Sequence, residues 1–342
     1  MDTRPRESGL VLPTLPRLAL GCMSFGSSAW RSWVLDEADS QPLLERALDL
    51  GIPFFDTANV YSTGRSEEVL GRFLRRTGAR SRAFVATKLF YPVGAGEAGL
   101  SRANVLDSCE ASLRRLGMEQ IDLLQIHRWD PHTPVEETME ALATLVRAGK
   151  VRWIGASNIR GWQLAKMNFM ARLNGWPEFV TVQAHYNLLH REDERELLPF
   201  CADQGIAVLP WSPLARGRLA RPPDAAAATG RGAVDDVADQ LYGPPTDPVI
   251  GALFETAREL EIKPALLAIA WLLSRPTVAA AVIGATRVGH IDDAVAALEL
   301  RVPPGTWERL ESAYTPRAYV DLPWTARNQT VLEPDRASAA RS

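Results

Sequence analysis

Eight short, mostly apolar runs punctuate the chain: Arg17–Cys22, Pro53–Asp56, Ala83–Lys88, Leu123–His127, Arg152–Gly155, Val180–Ala184, Ala207–Trp211 and Ala280–Gly284. Most lack the apolar–polar alternation of a half-exposed strand, so they read as strands buried on both faces of a parallel sheet. Helix-like segments fall between them. In Ser66–Leu74, the side chains of Val69, Leu70, Phe73 and Leu74 share one face, Ser66 is placed to cap the start, and Glu67 and Glu68 favour the positive end. Thr133-Pro-Val-Glu136 has the form of a capping box with proline at the first helical position, and Gly149 follows the last turn. Glu192–Asp203, ending before Gly205, together with Asp247–Leu260 and Pro264–Leu273, read as further helices. Eight strands alternating with helices predict an α/β protein, a (β/α)8 barrel, rather than an open sheet. The expected organisation is a single domain over residues 1–324 and a polar, Ala/Arg-rich, flexible tail over 325–342. One long stretch without strands, Leu214–Thr246, follows the seventh run, with the length and placement of a lid.

Composition narrows the class. The 342 residues are 46% apolar and 23% charged, ordinary for a globular protein that buries a large core without disulfides. A net charge of −3 gives no footing for nucleic acid or an anionic membrane. No apolar run reaches the roughly 18 residues of a membrane span, and Met1–Leu10 carries four charged side chains, unlike a secretory signal. Cys22, Cys109 and Cys201 are scattered, which favours a reducing, cytoplasmic setting. The five histidines include no H-x-H pair, so no metal is expected.

Candidate chemistry gathers at the strand ends. Ile52-Pro-Phe-Phe-Asp-Thr-Ala-Asn-Val-Tyr61 places Asp56 at a strand tip and Tyr61 in the loop beyond it. A phenol can donate a proton, but its reference pKa near 10 calls for a neighbouring cation. The next run ends in Lys88 and the one after it in His127. Singly, Asp56 reads as a cap, Lys88 as a surface lysine, His127 as a structural histidine and Tyr61 as packing; on one barrel face they read as a site. Gly94-Ala-Gly-Glu-Ala-Gly99 fits G-x-G-x-x-G by letter. Tyr91-Pro-Val93 separates it from its strand and Glu119 precedes the next one, so it reads as a loop rimming the mouth, not a dinucleotide fingerprint.

In this order and at strand ends, Asp56, Tyr61, Lys88 and His127 resemble the catalytic tetrad of the aldo-keto reductases. Gly155-Ala-Ser-Asn158, Gln183, Trp211-Ser-Pro-Leu214 and Ile283-Gly-Ala-Thr286 extend the resemblance from about Leu18 to about Tyr314. It implies reduction of an aldehyde or ketone by NADPH. Tyr61 would give the proton, Lys88 depress its pKa, Asp56 hold Lys88, and His127 orient the carbonyl. It also implies a cofactor site. Gly21, Cys22, Met23 and Asp56 would lie at its inner end, with Ser157, Asn158 and Gln183 on the carboxamide and Tyr186 under the nicotinamide ring. Trp211, Ser212, Pro213, Leu214, Ala215, Arg216, Gly217 and Arg218 would follow the pyrophosphate. Gly284, Thr286, Arg287 and His290 would meet the adenosine phosphate at a helix N-terminus, and Asp293 the adenine. Arg287 favours NADPH over NADH. The sequence departs from the usual pattern at His290, where glutamine is common, and at Ala294, where asparagine is usual.

Phe25, Trp30, Trp33, Tyr91 and Trp129 fall in loops at the expected mouth and suggest an apolar pocket for a bulky or aromatic carbonyl compound. Gly21-Cys-Met-Ser-Phe-Gly26 and Gln125-Ile-His-Arg-Trp-Asp130 resemble the subgroup that includes aryl-alcohol dehydrogenase-like and sugar-aldehyde reductases. The expected partner is a small-molecule carbonyl compound, with no nucleic acid or membrane; a homo-oligomer is compatible with the composition. Two other functions fit parts of the pattern. One is a cofactor-binding regulatory subunit similar to the potassium-channel β subunits, against which His127 speaks. The other is a Schiff-base aldolase using Lys88, against which Asp56 speaks, since such a lysine must be neutral.

Overall fold

The computed structural model describes residues 12–94, 98–222, 236–242 and 247–318. All eight expected strands form within a few residues of their anticipated bounds: β1 Leu18–Gly21, β2 Phe54–Asp56, β3 Phe84–Leu89, β4 Ile121–Ile126, β5 Val151–Ser157, β6 Thr181–Gln183, β7 Ala207–Val208 and β8 Ala281–Gly284. They lie in the order β8-β1-β2-β3-β4-β5-β6-β7, every neighbouring pair parallel. The two ends of the row also meet. Parallel bridges join Val208 to Val278 and Trp211 to Val282, and Ala279 N–H donates to Val208 C=O at 2.9 Å. The sheet thus curls round on itself. β7 is shorter than its apolar run because Pro210 has no N–H for the ladder. Leu209 and Trp211 nonetheless still donate to Val182 and Ala184.

The helices are α1 Glu37–Asp49, α2 Arg65–Thr77, α3 Arg102–Leu116, α4 Val135–Arg147, α5 Gly161–Leu173, α6 Leu197–Gln204, α7 Asp236–Tyr242, α8 Pro248–Glu259, α9 Pro264–Leu273, α10 Val288–Glu299 and α11 Thr306–Ser312. Two apolar clusters result. Ala19, Phe54, Ala86, Leu123, Trp153, Leu209 and Val282 pack inside the curl, while the larger cluster lies between strands and helices. Alternation along each strand therefore decides which side chains reach the interior. Above the inner apolar layer, at the carboxyl ends, the inward positions turn polar.

Three local expectations are corrected. The capping box at Thr133 does not form: α4 starts after Pro134 without a side-chain cap, and Thr133 Oγ1 donates to Asp130 Oδ2 at 2.7 Å. Ser66 lies one position inside α2, with Gly64 at the cap; its hydroxyl donates to Cys22 C=O at 2.7 Å and ties the helix to the end of β1. The helix expected over Glu192–Asp203 is broken at Glu196, leaving a short turn before α6. In each case a competing side-chain partner or a backbone break overrides the capping or periodicity rule. Of the stretch Leu214–Thr246, residues 223–235 and 243–246 lie outside the described residues, as do the tail from 325 and residues 95–97 of the Gly94–Gly99 loop. No described helix is long and apolar enough to cross a membrane. Cys22, Cys109 and Cys201 are free and buried, and burial pushes their thiols up, Cys109 and Cys201 to about 12.

Gly155 shows how closely β5 and β6 approach. A Cβ there would sit 2.1 Å from Thr181 Oγ1, a buried hydroxyl with no partner among the described residues. Gly155→Ala should cost about 1–3 kcal/mol by overpacking. Thr181→Ala removes an unsatisfied hydroxyl and should be near neutral. The double variant should recover most of the loss. Urea unfolding midpoints check this, and equal instability of single and double variants would place the strain elsewhere.

Candidate active site

Lys88 is fully buried in the interior of the barrel mouth. Its Nζ donates to Asp56 Oδ1 at 2.5 Å and to Thr57 C=O at 2.9 Å, and lies 3.5 Å from Tyr61 Oη. Asp56 Oδ2 accepts from Gln125 Nε2 at 3.0 Å and Gln183 Nε2 at 2.8 Å, so one carboxylate gathers groups from β3, β4 and β6. Burial works against charge on Lys88, but Asp56 and Tyr61 outweigh it and hold the ammonium above the usual lysine range. Tyr61 sits in a turn whose next two residues, Ser62 and Thr63, take left-handed backbone (φ 49° and 54°). Gly26 lets this turn approach, since a Cβ there would lie 2.4 Å from Ser62. Burial raises the Tyr61 pKa and Lys88 pulls it back only in part, so the net shift is upward, not the depression expected from the lysine alone. The His127 ring lies edge-on to Tyr61 and to Tyr91, at 5.7 and 5.0 Å between centroids. Its Nδ1 is buried with no partner among the described residues. Burial, then Lys88 and Arg128, hold it well below the usual histidine range, so it is neutral near pH 7.

The residues expected at the cofactor fall at or just after the ends of β1, β2, β5, β6, β7 and β8. Gly21 pairs with Asp56 in the sheet and Cys22 is buried after it; Ser24 Oγ donates to Ala285 C=O at 2.7 Å, tying the loops after β1 and β8, and Met23 is half-buried. Ser157 Oγ donates to Gln183 C=O at 3.1 Å, and Asn158 Nδ2 to His127 C=O at 2.9 Å. With Gln183 Nε2 on Asp56, these amide donors are in use, and the amide oxygens accept from no donor among the described residues. After β7, the chain makes a tight curl. Ser212, Ala215 and Arg216 have φ of 56°, 47° and 57°, and Ser212 Oγ accepts from Arg216 N–H at 3.2 Å. Arg218 pairs with Asp239 of α7. At the start of α10, Arg287 is the N-cap residue, His290 Nδ1 accepts from Thr286 N–H at 3.3 Å, and Arg221 and Arg287 both lower the His290 pKa after burial does. Asp293 pairs with Lys263 at 2.6 Å.

Tyr186 is the misplaced residue. Gln183 reaches inward, so alternation turns residue 185 inward and 186 outward. The Tyr186 ring packs on Trp271 of α9 at 5.5 Å, and its hydroxyl donates to Glu194 at 2.6 Å. The inward rings are His185 and Trp211, stacked at 4.1 Å. Among the aromatic residues expected in the pocket, Phe25 is buried in the outer core, and Trp30 and Trp33 both lie against the Arg31 guanidinium. Tyr91 meets His127, and Trp129 pairs with Trp162 of α5 at 5.7 Å. Gln125, His185, Arg221 and Trp162 are thus additions to the expected set; the first two were readable as the positions two before His127 and two after Gln183. Among the described residues no cluster of three metal-ligating side chains occurs.

The model of the Aldo/keto reductase family matches residues 17–315. The chain belongs to the aldo/keto reductase family. Versiconal hemiacetal acetate reductase of Aspergillus parasiticus is similar, at 39% identity over 336 residues, 91% of this chain and 96% of its own. Aldo-keto reductase AMT2 of Alternaria alternata is 40% identical over 322 residues, 86% and 87% of the two chains. A Schizosaccharomyces pombe protein whose name carries the words aryl-alcohol dehydrogenase is 39% identical over 327 residues, 88% and 92%. This aldo/keto reductase is therefore an oxidoreductase of a family that reduces carbonyl groups with NAD(P)H, and its eight parallel strands are those of the family's barrel.

The reductase's buried histidines make its stability pH-dependent. His127, His185 and His190 are all held below the usual range, burial being the first cause for each. An unfolded histidine titrates near 6.5. Below that pH the unfolded chain binds protons that the folded one refuses, so this stability is full above about pH 6.5 and is lost as pH falls toward the folded pKa values. The expected loss is on the order of 1 kcal/mol per histidine per pH unit. Urea midpoints at pH 7.5 and 5.5 measure it, and a flat profile would mean that these rings are not buried neutral.

Proposed function

We propose that this aldo/keto reductase uses NADPH to reduce an aldehyde or ketone to the alcohol, with Tyr61 as proton donor. The observation that carries the reading is the buried chain Asp56–Lys88–Tyr61, in which a fixed ammonium stands 3.5 Å from a protonated phenol. The bound nicotinamide supplies the hydride. As negative charge grows on the carbonyl oxygen, Tyr61 donates its proton to that oxygen, and the Lys88 ammonium meets the charge that develops on the phenol. Asp56 keeps Lys88 in place and charged. The same pairing leaves Lys88 no lone pair for a Schiff base. His127, neutral, orients the carbonyl through a ring N–H.

The chain's own residues fit the cofactor. Asn158 and Gln183 have amide oxygens to accept from a carboxamide. The tight curl over Ser212–Gly217 carries Arg216, whose guanidinium suits a pyrophosphate. Arg221, Arg287 and Thr286 stand at the N-terminus of the twelve-residue helix α10, which suits the extra phosphate of NADPH. Tyr91, Trp129 and Trp162 favour a bulky or aromatic carbonyl compound.

Tyr61→Phe keeps the ring and removes the donor. NADPH binding, followed by tryptophan quenching, should survive, while single-turnover reduction falls by about 10² to 10⁴. Lys88→Met should be similarly impaired. Reduction by Tyr61→Phe at the parent rate would assign the proton to another group. Separately, Arg287→Ala should weaken NADPH far more than NADH; equal loss for both would show that Arg287 does not read the phosphate.

A further inference from the structure

Three rings form a column beside the tetrad. His190 stacks on His185 at 4.1 Å and 17°, and His185 on Trp211 at 4.1 Å and 10°. The column joins two strand ends, since His185 and Trp211 are partners in a parallel bridge. Its middle ring is fixed from the side. Asn187 Nδ2 donates to Tyr242 Oη at 3.1 Å, which leaves the Tyr242 hydroxyl proton for His185 Nε2 at 2.7 Å. Tyr242 is fixed in turn, its C=O accepting from Arg317 at 2.9 Å. His190 is fixed by a bond between its Nδ1 and His185 C=O at 2.8 Å. The end ring differs. Trp211 is only half-buried, its Nε1 has no partner, and among the described residues no ring but His185 stacks on it. A side chain with no hydrogen bond of its own takes its orientation from packing, and the ring stacked on Trp211 is that of His185.

We propose that His185 is a positioning residue for the cofactor: held edge-on by Tyr242, its imidazole sets the plane of Trp211, whose other face then receives the nicotinamide ring. The inference rests on the nicotinamide-dependent reading given above. It explains why a histidine is buried here at all. A histidine combines a flat face for stacking with a ring nitrogen that Tyr242 can hold, whereas phenylalanine offers only the face and glutamine only the bond. The column also links α7 to the site, because Tyr242 closes that helix.

The test compares the full chain with His185→Leu, which removes the flat ring, and His185→Phe, which keeps it. NADPH binding is followed by tryptophan quenching, and turnover with NADPH and para-nitrobenzaldehyde. His185→Leu should raise Kd and KM for NADPH about tenfold, the upper worth of one aromatic pair, with kcat changed much less. His185→Phe should stay within about threefold of the parent. Parent affinity in His185→Leu overturns the proposal, as does His185→Phe being as weak as His185→Leu, since the ring's face would then not be what matters. If His185→Leu does not fold, His185→Gln decides: it keeps a partner for Tyr242 but removes the flat ring, so a raised KM for NADPH at little-changed kcat supports the proposal, and a parent KM overturns it. Failure of the parent chain itself to bind NADPH would overturn the cofactor reading, and this inference with it, before any variant is compared.

Discussion

The ion pair between Asp56 and Lys88 is the constraint on which the rest of the mouth depends. A lysine with no exposure at all would be costly without a counter-charge, and removing one partner of such a pair costs about 3–5 kcal/mol. The fold meets this by surrounding the carboxylate. Lys88 from β3, Gln125 from β4 and Gln183 from β6 all donate to Asp56 on β2, so the pair that sets the proton donor's surroundings also pins four strand ends together. Chemistry and architecture cannot be separated here: the amides that tie the barrel are the groups that keep the charge satisfied.

Strain is concentrated at the same face. The described residues include seven non-glycine residues with left-handed backbone, and six of them, Ser62, Thr63, Asn158, Ser212, Ala215 and Arg216, lie in loops that follow strands β2, β5 and β7. Such conformations persist only where their surroundings over-determine them. Hydrogen bonds from Asn187 to Ser212 C=O at 3.0 Å, from Asn158 to His127 C=O and from Ser27 N–H to Ser62 Oγ at 3.2 Å do that work. The opposite end of the barrel is closed by Arg17 on the carbonyls of Leu273, Val278 and Ala279.

The strands were legible because a parallel strand covered on both faces has to be an unbroken apolar run. The tetrad was legible because its members end those runs. Facing was harder to read. Tyr186 has the right chemistry for stacking but stands one residue out of phase with Gln183, and one residue is the whole difference between the interior and the helix layer. Thr133 and Ser66 carry good capping side chains, yet Thr133 turns back to Asp130 three residues before it, and the end of β1 takes Ser66 from 44 residues away, a distance no local pattern encodes. Arg221 and Trp162 join the site from segments whose approach depends on the closed sheet, so nothing near them in sequence announces it.

The three cysteines have a practical consequence. All are buried and free, and their thiols are held in the protonated, unreactive form, so the native protein offers alkylating reagents almost no thiolate. The natural chain is already a silent background for site-directed labelling. A single cysteine introduced on an exposed loop such as that of Ser28 would carry a fluorophore or spin label alone, without first stripping Cys22 from its place beside the ion pair.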